Sequence, residues 1–250
     1  MRLARFSHDG QIHNGLVEGE RVHQLAGSLF DSVEKTSHSF LLSEIKLLTP
    51  VEPSKIICIG LNFQDHAAEI GQSTQEEPLM FFKPPSSLIA SGDKIVIPPQ
   101  TSQPELEVEL AVVVGKKAKN ISEADARAHI LGYTIANDVT ARDVQFSDLQ
   151  WARSKGFDTF GPLGPWIETD FDPANKRLIS RVNGEVRQEG NTQHMISSPE
   201  ALFAYVSQNL TLFPGDVILT GSPAGISGIS SGDLVECEIE GLGVLSNQVA

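Results

Sequence analysis

The sequence is poor in cysteine, and this shortage excludes two ways of stabilising a fold. Only two cysteines occur among the 250 residues, Cys58 and Cys237, and each lies in a mainly apolar stretch. Two isolated cysteines provide neither a disulfide framework nor the paired Cys/His spacing of a structural zinc site. We therefore expect a reducing, cytoplasmic environment.

Basic residues and long apolar runs are also scarce. The chain has 19 Lys and Arg against 32 Asp and Glu, a formal net charge of −13, and no basic cluster. Because nucleic acids attract clustered positive charge, we do not expect one as a partner. No apolar run approaches the roughly 20 residues that cross a bilayer, and the first residues lack the hydrophobic segment of a secretory signal. We therefore expect neither a nucleic acid nor a membrane as a partner.

Signals for β-strands outnumber those for helices along the chain. Residues 6–12 and 17–22 each have the pattern of a strand, a tight turn and a strand, and Asn183-Gly184 is a strong hairpin signal. A proline-marked connector spans residues 48–53. We predict a strand-rich α+β fold, with a small N-terminal β domain at residues 1–50 and a larger domain at residues 51–250.

Acidic and aliphatic residues alternate strictly over residues 105–110, which read ELEVEL and run into an apolar segment. Alternation predicts one strand with Glu105, Glu107 and Glu109 on the same side. Same-face neighbours lie roughly 7 Å apart in a strand, so buried carboxylates there repel one another. A hard divalent cation removes that conflict. The alternative is an ordinary surface strand whose glutamates face water.

Asp138 directly follows a predicted strand, at residues 132–136. If the chain is helical from this point, Asp138, Arg142 and Gln145 share one face. That face would present a carboxylate for a metal together with an Arg fork suited to a substrate carboxylate. The alternative is a surface ion pair between Asp138 and Arg142.

His66 and Glu69 lie three residues apart on a predicted helix at residues 62–70, and the polar stretch at residues 72–77 follows. We interpret the helix and the stretch as a lid over a site. A carboxylate beside an imidazole fixes its tautomer and raises its basicity, as a general base requires. The alternative is a helix-surface pair.

Two further segments are candidates for an active site. Lys155 precedes a Gly/Pro/aromatic loop at residues 156–166, although most lysines are simply solvated. Gly221 and Ser222 lie in a glycine-rich turn after a predicted buried strand. Such turns expose backbone amides that can hold an anion, or they serve only as tight turns.

Taken together, these segments resemble the fumarylacetoacetate hydrolase family over residues 55–250. The resemblance implies a β-rich roll of mixed sheets, a homodimer, and Mg²⁺ or Mn²⁺ (sometimes Ca²⁺) held by Glu107, Glu109 and Asp138. Glu105 is not a ligand position in the family. The matching segments are residues 56–63, 107–113, 137–143, 155–165, 182–184 and 220–225.

The resemblance also assigns roles to the other polar residues. Arg142 and Gln145 take the substrate-side positions, together with the turn of Gly221 and Ser222, where many members have Thr instead of Ser. Lys155 falls on the active-site lysine. His66 and Glu69 fall on the lid pair of members that cleave or decarboxylate.

The resemblance implies an enzyme that acts on 2-oxo acids through a metal-bound enolate. The expected reaction is hydrolysis of a C–C bond in an acylpyruvate or fumarylpyruvate, or decarboxylation of oxaloacetate. An isomerase or tautomerase of 2-hydroxyhepta-2,4-dienedioate or oxaloacetate is the alternative within the same chemistry. Outside catalysis, the chain would be a metal-dependent 2-oxo acid binder or would hold a structural cation.

Overall fold

The computed structural model describes residues 1–69, 71 and 77–250. Residues 72–76, most of the polar stretch of the predicted lid, therefore lie outside the described residues, as does Ile70. The described part is strand-rich with a few short helices, which confirms the predicted α+β class.

The described residues form twenty strands, most of them short. They are β1 Arg2–His8, β2 Gln11–Glu18, β3 Arg21–Leu25, β4 Lys35–Leu41, β5 Lys46–Leu47, β6 Ile56–Gly60, β7 Leu79–Lys83, β8 Leu88–Ile89, β9 Lys94–Ile95, β10 Pro104–Leu106, β11 Val108–Val114, β12 Ile130–Asn137, β13 Thr140–Ala141, β14 Gly161–Glu168, β15 Arg177–Val182, β16 Glu185–Asn191, β17 Val217–Leu219, β18 Ser227–Gly228, β19 Leu234–Ile239 and β20 Gly243–Val249.

Helices are few and short in the described part of the chain. The longest, α5, has 11 residues and starts after the N-cap Ser198, whose hydroxyl accepts from the amide of Ala201. None of these helices is long and apolar enough to cross a membrane. The α-helices are α1 Gln64–Glu69, α2 Glu123–Ala126, α3 Arg142–Ser147, α4 Ala152–Lys155 and α5 Pro199–Asn209, and 3-10 turns occupy Leu42–Glu44, Pro85–Ser87, Arg127–His129 and Thr192–His194.

One large mixed sheet organises the fold. Its strand order is β4-β3-β2-β1-β14-β12-β11-β17-β6-β7, with β5 beside β1 and β8 beside β14. The N-terminal strands join it where Arg2 and Leu3 of β1 pair with Glu168 and Ile167 of β14. They therefore extend the same sheet, and the division of the chain at residue 50 remains a prediction. Two smaller sheets have the orders β13-β10-β18 and β16-β15-β19-β20-β9.

Strand β11 is the centre of the core. All seven of its residues are buried. Leu110 and Val112 pack into a cluster with Phe203 of α5, whereas Ala111 and Val113 face a second cluster on the other side. A strand covered on both faces needs apolar residues throughout, which explains why the alternation of residues 105–110 gives way to a continuous apolar run.

The alternating segment is not one strand, and that expectation was wrong. The backbone leaves the three-stranded sheet after Leu106 and enters the large sheet at Val108, so Glu107 lies at the break. Side-chain amides replace ladder hydrogen bonds there. The Glu107 amide donates to Oδ1 of Asn137 at 3.0 Å, and the Val108 amide donates to Oε1 of Gln188 at 2.9 Å. The alternation of acidic and aliphatic residues indicates which side each side chain faces. It does not indicate whether the backbone pairs with a neighbouring strand.

The hairpin predicted at Asn183-Gly184 is present between β15 and β16. Val182 pairs with Glu185 across a two-residue turn. Both turn residues have positive φ, +53° for Asn183 and +81° for Gly184, as a type I′ turn requires.

We expect Gly184→Ala to destabilise the protein by about 1–2 kcal/mol, because an alanine at positive φ brings its Cβ close to the backbone carbonyl. Urea unfolding followed by circular dichroism measures the change. Gly27→Ala is the matched control: nothing lies within 4 Å of the added Cβ and its φ is not in the strained range. Equal unfolding midpoints for the two variants would contradict the assigned turn.

Candidate active site

Three carboxylates meet where the large sheet borders the three-stranded sheet. Glu107 lies at the break before β11, Glu109 lies within β11, and Asp138 follows the end of β12. The antiparallel register pairs Val108 with Asn137, and the Asp138 amide donates to the Glu107 carbonyl at 2.9 Å. One oxygen from each of the three carboxylates lies within 4.8 Å of the other two, and all three residues are buried. A surface strand with glutamates facing water does not describe this arrangement.

Three buried, positively charged side chains surround the carboxylates. Nζ of Lys155 donates to Oε2 of Glu107 at 2.7 Å and to Oδ2 of Asp138 at 2.6 Å. Nζ of Lys83 donates to Oδ1 of Asp138 at 2.6 Å, and the Arg142 guanidinium donates to Oε1 of Glu107. Ion pairs this deeply buried persist only when each charge has close partners.

The charges act unequally on the carboxyl groups. Burial opposes ionisation of Glu107, but the positive charges of Lys155 and Arg142 outweigh it and hold the pKa of Glu107 well below its ordinary value. For Glu109, burial and then the negative charge of Asp138 raise the pKa well above its ordinary value. The Gly221 amide donates to Oε2 of Glu109 at 2.6 Å. Glu109 is therefore the carboxylate with the least compensated charge.

The donor set suits a hard divalent cation. All three candidate ligands are carboxylates, which Mg²⁺ and Mn²⁺ prefer, and neither histidine nor cysteine belongs to the set. Oε1 of Glu109 receives no hydrogen bond from the described residues. Each carboxylate oxygen has more than one lone pair, so the lysine contacts of Glu107 and Asp138 leave room for a further bond. A dication would supply the positive charge that Glu109 lacks.

Arg142 and Gln145 lie on α3, which starts at Arg142 and not at Asp138. The expectation of one helical face carrying all three residues was therefore wrong, since Thr140 and Ala141 form β13 in between. The surface pair of Asp138 and Arg142 is also absent: both side chains are buried, and Arg142 donates to Glu107, to Gln145, and through Nε to Glu105 at 2.6 Å.

His66 and Glu69 form a contact on α1, with 3.1 Å between Nδ1 of His66 and Oε2 of Glu69. The Gly225 amide donates to the other oxygen of Glu69 at 2.9 Å, which fixes the carboxylate. His66 is 5% exposed, unlike a helix-surface histidine. With Nδ1 directed at Glu69, Nε2 is the ring nitrogen left to exchange a proton.

The three carboxylates line one narrow cleft together with His66, Arg142, Gln145 and Lys155. Phe81 and Trp151 form an aromatic wall, with the Phe81 ring 5.2 Å from Nζ of Lys155. The structure thus brings the sequence-predicted residues together, with Gly221 reaching the site through its amide. The lining residues are Ile59, Gly60, Leu61, His66, Phe81, Glu107, Glu109, Asp138, Arg142, Gln145, Trp151, Lys155 and Ser222.

Sequence reasoning missed Lys83, whose side chain is fully buried against Asp138. The sequence contained a signal, because a lysine between Phe82 and Pro84 interrupts an otherwise apolar segment. It also missed Asn137 and Gln188, whose amides hold the strand break. No local pattern identifies those two, since their partners lie far along the chain.

We expect Mn²⁺ to bind at the carboxylate cluster and to raise the melting temperature, because a cation that binds only the folded state stabilises it by about 2.7 kcal/mol at 100 times its Kd. Asp138→Asn removes a ligand charge and should weaken Mn²⁺ binding at least 100-fold in calorimetric titration. Glu238→Gln, which removes a carboxylate paired with Arg181 in the five-stranded sheet, is the matched control and should stay within threefold. Equal losses in both variants would contradict the ligand set.

Asp143 fixes the start of α3 and gives a pH-dependent prediction. Burial raises its pKa, but the hydrogen bonds from Ser102, Thr101 and the Val144 amide together outweigh burial and lower the pKa to about 2, from 3.8. A carboxyl group whose pKa is lowered by folding stabilises the folded state when the pH lies above the pKa of that group in the unfolded state. This stabilisation is lost as the pH falls through the pKa of the group in the folded state.

The free energy of unfolding of Asp143→Asn should therefore be lower than that of the wild type, and the difference should be largest above about pH 5. The difference should shrink steadily as the pH falls towards 2. Urea unfolding at pH 6, 4 and 3 measures it against wild type. A difference that stays constant across this range would show that the ionised carboxylate contributes nothing.

Two family models match the chain. One, described as Fumarylacetoacetate (FAA) hydrolase C-terminal, matches residues 55–250, and another, described as Rv2993c-like, N-terminal, matches residues 1–50. The mitochondrial oxaloacetate tautomerase FAHD2A of Homo sapiens is 47% identical over 220 residues, which cover 83% of this chain and 70% of that protein.

Solved structures agree with the sequence matches. A 5-carboxymethyl-2-hydroxymuconate delta-isomerase from Mycobacterium smegmatis superposes with a TM-score of 0.95 at 40% identity, covering 100% of this chain and 99% of that chain. A maleylpyruvate hydrolase from Sphingobium sp. SYK-6, in complex with manganese (II) ion and pyruvate, gives a TM-score of 0.83 at 27% identity with the same coverage. The chain belongs to the fumarylacetoacetate hydrolase family of divalent-metal-dependent enzymes.

Proposed function

We propose that this enzyme moves a proton beside the 2-oxo group of a short dicarboxylic acid, with keto-enol tautomerisation of oxaloacetate as its reaction. The observation that carries the proposal is His66, a buried imidazole that contacts Glu69 and lines the same cleft as the carboxylate cluster. It supplies one proton-transferring group beside a candidate cation site.

Substrate binding follows from the charges of the cleft. A 2-oxo acid presents two adjacent oxygens, one from the carboxylate and one from the oxo group. A bound Mg²⁺ or Mn²⁺ supplies Lewis acidity at the oxo oxygen. The Arg142 guanidinium and the Gln145 amide orient a carboxylate of the substrate. Lys155, held positive by Asp138 and Glu107, adds charge where the oxygen becomes negative.

Proton transfer falls to His66. Its Nε2 accepts a proton from the carbon next to the oxo group, and the C–H electron pair becomes the new carbon–carbon double bond. The oxo oxygen then takes a proton from the imidazolium, which yields the enol and restores neutral His66. Glu69 stabilises the imidazolium in between. The step balances without water, oxidant or a second substrate.

The order of candidates differs from the expectation based on sequence alone, which placed hydrolysis and decarboxylation first. The tautomerase relative is 47% identical, against 27% for the maleylpyruvate hydrolase neighbour. Decarboxylation of oxaloacetate needs no base to remove a proton from carbon and would use His66 only to protonate the resulting enolate, whereas tautomerisation uses it in both proton transfers. Both considerations support proton transfer.

Hydrolysis of a C–C bond in an acylpyruvate is the second candidate. A specific observation favours it, since a carboxylate-supported imidazole can also activate water. The hydrolase neighbour with bound pyruvate supports the same substrate head. The two candidates share the cleft and differ in whether water reaches the substrate.

With Mg²⁺, the wild-type protein should accelerate the decay of enol-oxaloacetate absorbance, and a chelator should abolish the effect. His66→Ala should lower kcat about 10²–10⁴-fold with little change in KM, because it removes the acid–base group and leaves the binding groups. His38→Ala is the matched control, since His38 is exposed on β4 and distant in sequence from the cleft.

Other products would select other reactions. Pyruvate released from oxaloacetate as fast as the enol decays would assign decarboxylation, and cleavage of acetylpyruvate would assign hydrolysis. Chelator-sensitive binding of oxalate without turnover of any of these compounds would make the protein a 2-oxo acid binder. An unchanged rate in His66→Ala would remove the pair from the mechanism.

Three further expectations remain predictions. The homodimer and the choice among Mg²⁺, Mn²⁺ and Ca²⁺ come from the family resemblance, and the cytoplasmic location comes from the scarcity of cysteine. The proposed reaction requires a divalent cation in the site. It does not depend on the oligomeric state or on the cellular location.

A further inference from the structure

Gln188 is a completely buried residue of β16 whose side chain joins two parts of the active site. Its Oε1 accepts from the Val108 amide at 2.9 Å and from the Ser180 hydroxyl at 3.0 Å. Its Nε2 donates to Oγ of Ser222 at 2.7 Å and to the carbonyl of Pro223 at 2.8 Å. Gln188 therefore reaches both the strand between Glu107 and Glu109 and the turn that borders the cleft.

Two backbone partners determine the orientation of the Gln188 amide. The Val108 N–H can only donate, so it must face Oε1, and the Pro223 carbonyl can only accept, so it must face Nε2. A flipped amide would lose both bonds. One hydrogen of Nε2 goes to Pro223, and the other goes to Oγ of Ser222. Ser222 is thus an acceptor towards Gln188.

The hydroxyl hydrogen of Ser222 must then point elsewhere. The described residues include no acceptor for it, and Ser222 is 3% exposed and lines the cleft beside Lys155 and Arg142. We infer that Gln188 is a positioning residue that turns the Ser222 hydroxyl hydrogen into the cleft, where it donates to a carboxylate or oxo oxygen of the substrate. This role rests on the proposed function, since it requires a substrate oxygen at that place.

Close packing stops the turn from moving closer to β16, and the hydrogen bonds from Gln188 to Ser222 and Pro223 oppose its moving away. A Cβ built on Gly225 would lie 2.4 Å from the Arg187 carbonyl oxygen, and one built on Gly190 would lie 2.5 Å from Cβ of Pro223. Backbone and ring are therefore in direct contact between β16 and the turn. The Ser222 oxygen is thereby held in place relative to Gln188, and its hydrogen points away from Nε2 of Gln188.

A double-mutant cycle on oxalate affinity at saturating Mg²⁺ tests this inference. Oxalate presents the paired oxygens of a 2-oxo acid and requires no turnover. Ser222→Ala and Gln188→Met should each weaken binding about tenfold, as expected for a hydrogen bond to a charged group. The double variant should be no weaker than Ser222→Ala by more than twofold, because the effect of Gln188 passes through Ser222. Ser222→Thr should restore affinity to within threefold.

Two controls separate positioning from stability. Asn247 is another buried amide, which donates to the carbonyls of Ala90 and Asp93 away from the cleft. Asn247→Leu should lower the melting temperature and leave oxalate affinity within twofold. If Gln188→Met does not fold, Gln188→Glu replaces it in the cycle. The glutamate side chain keeps an oxygen that can accept from the Val108 amide. Its carboxyl group carries at most one hydrogen, whereas the amide nitrogen of Gln188 carries two.

The possible outcomes are distinct. The positioning role would be overturned if the fold losses of oxalate affinity in the two single variants multiplied in the double variant. Unchanged oxalate affinity in both Gln188 variants would also overturn it. Failure of the wild type to tautomerise oxaloacetate would remove the proposed reaction and leave the oxalate cycle valid. Absence of Mg²⁺-dependent oxalate binding by the wild type would overturn the inference together with the site.

Discussion

Repulsion among three buried carboxylates is the constraint on which the rest of the site depends. Glu107, Glu109 and Asp138 lie within reach of one cation, and the protein offsets their charge with Lys83, Lys155 and Arg142. Removing one partner from a buried ion pair costs about 3–5 kcal/mol, because a charge is left without compensation. The six side chains therefore form one electrostatic unit.

The backbone supports that unit by an interruption in its strands. The register of β11 and β12 brings Asp138 beside Glu107, but Glu107 itself has no ladder position. Amide side chains from Asn137 and Gln188 take over the hydrogen bonds of the interrupted strand. The ligand residue is thus turned inward without leaving a buried amide unpaired, which would cost about 1–3 kcal/mol.

Local sequence patterns predicted the features that depend on neighbouring residues. The apolar run of β11 and the turn at Asn183-Gly184 follow from burial and φ alone. The break at Glu107 did not follow, because alternation carries no information on strand pairing. Lys83 was missed because its partner Asp138 is 55 residues away, and Gln188 because Val108 is 80 residues away. Contacts of that kind arise only from the assembled topology.

The candidate cation site and the proposed proton-transferring pair come from separate parts of the architecture. The carboxylates belong to β11 and to the ends of strands in the centre of the large sheet, whereas His66 and Glu69 belong to α1, a helix of six residues. In the proposed mechanism, substitutions in α1 would change the fate of the substrate while the carboxylates keep their ion pairs with Lys83, Lys155 and Arg142. A fold built in this way can vary its proton-transferring helix separately from its carboxylates, and proteins similar to this chain carry the names of an isomerase, a tautomerase and a hydrolase.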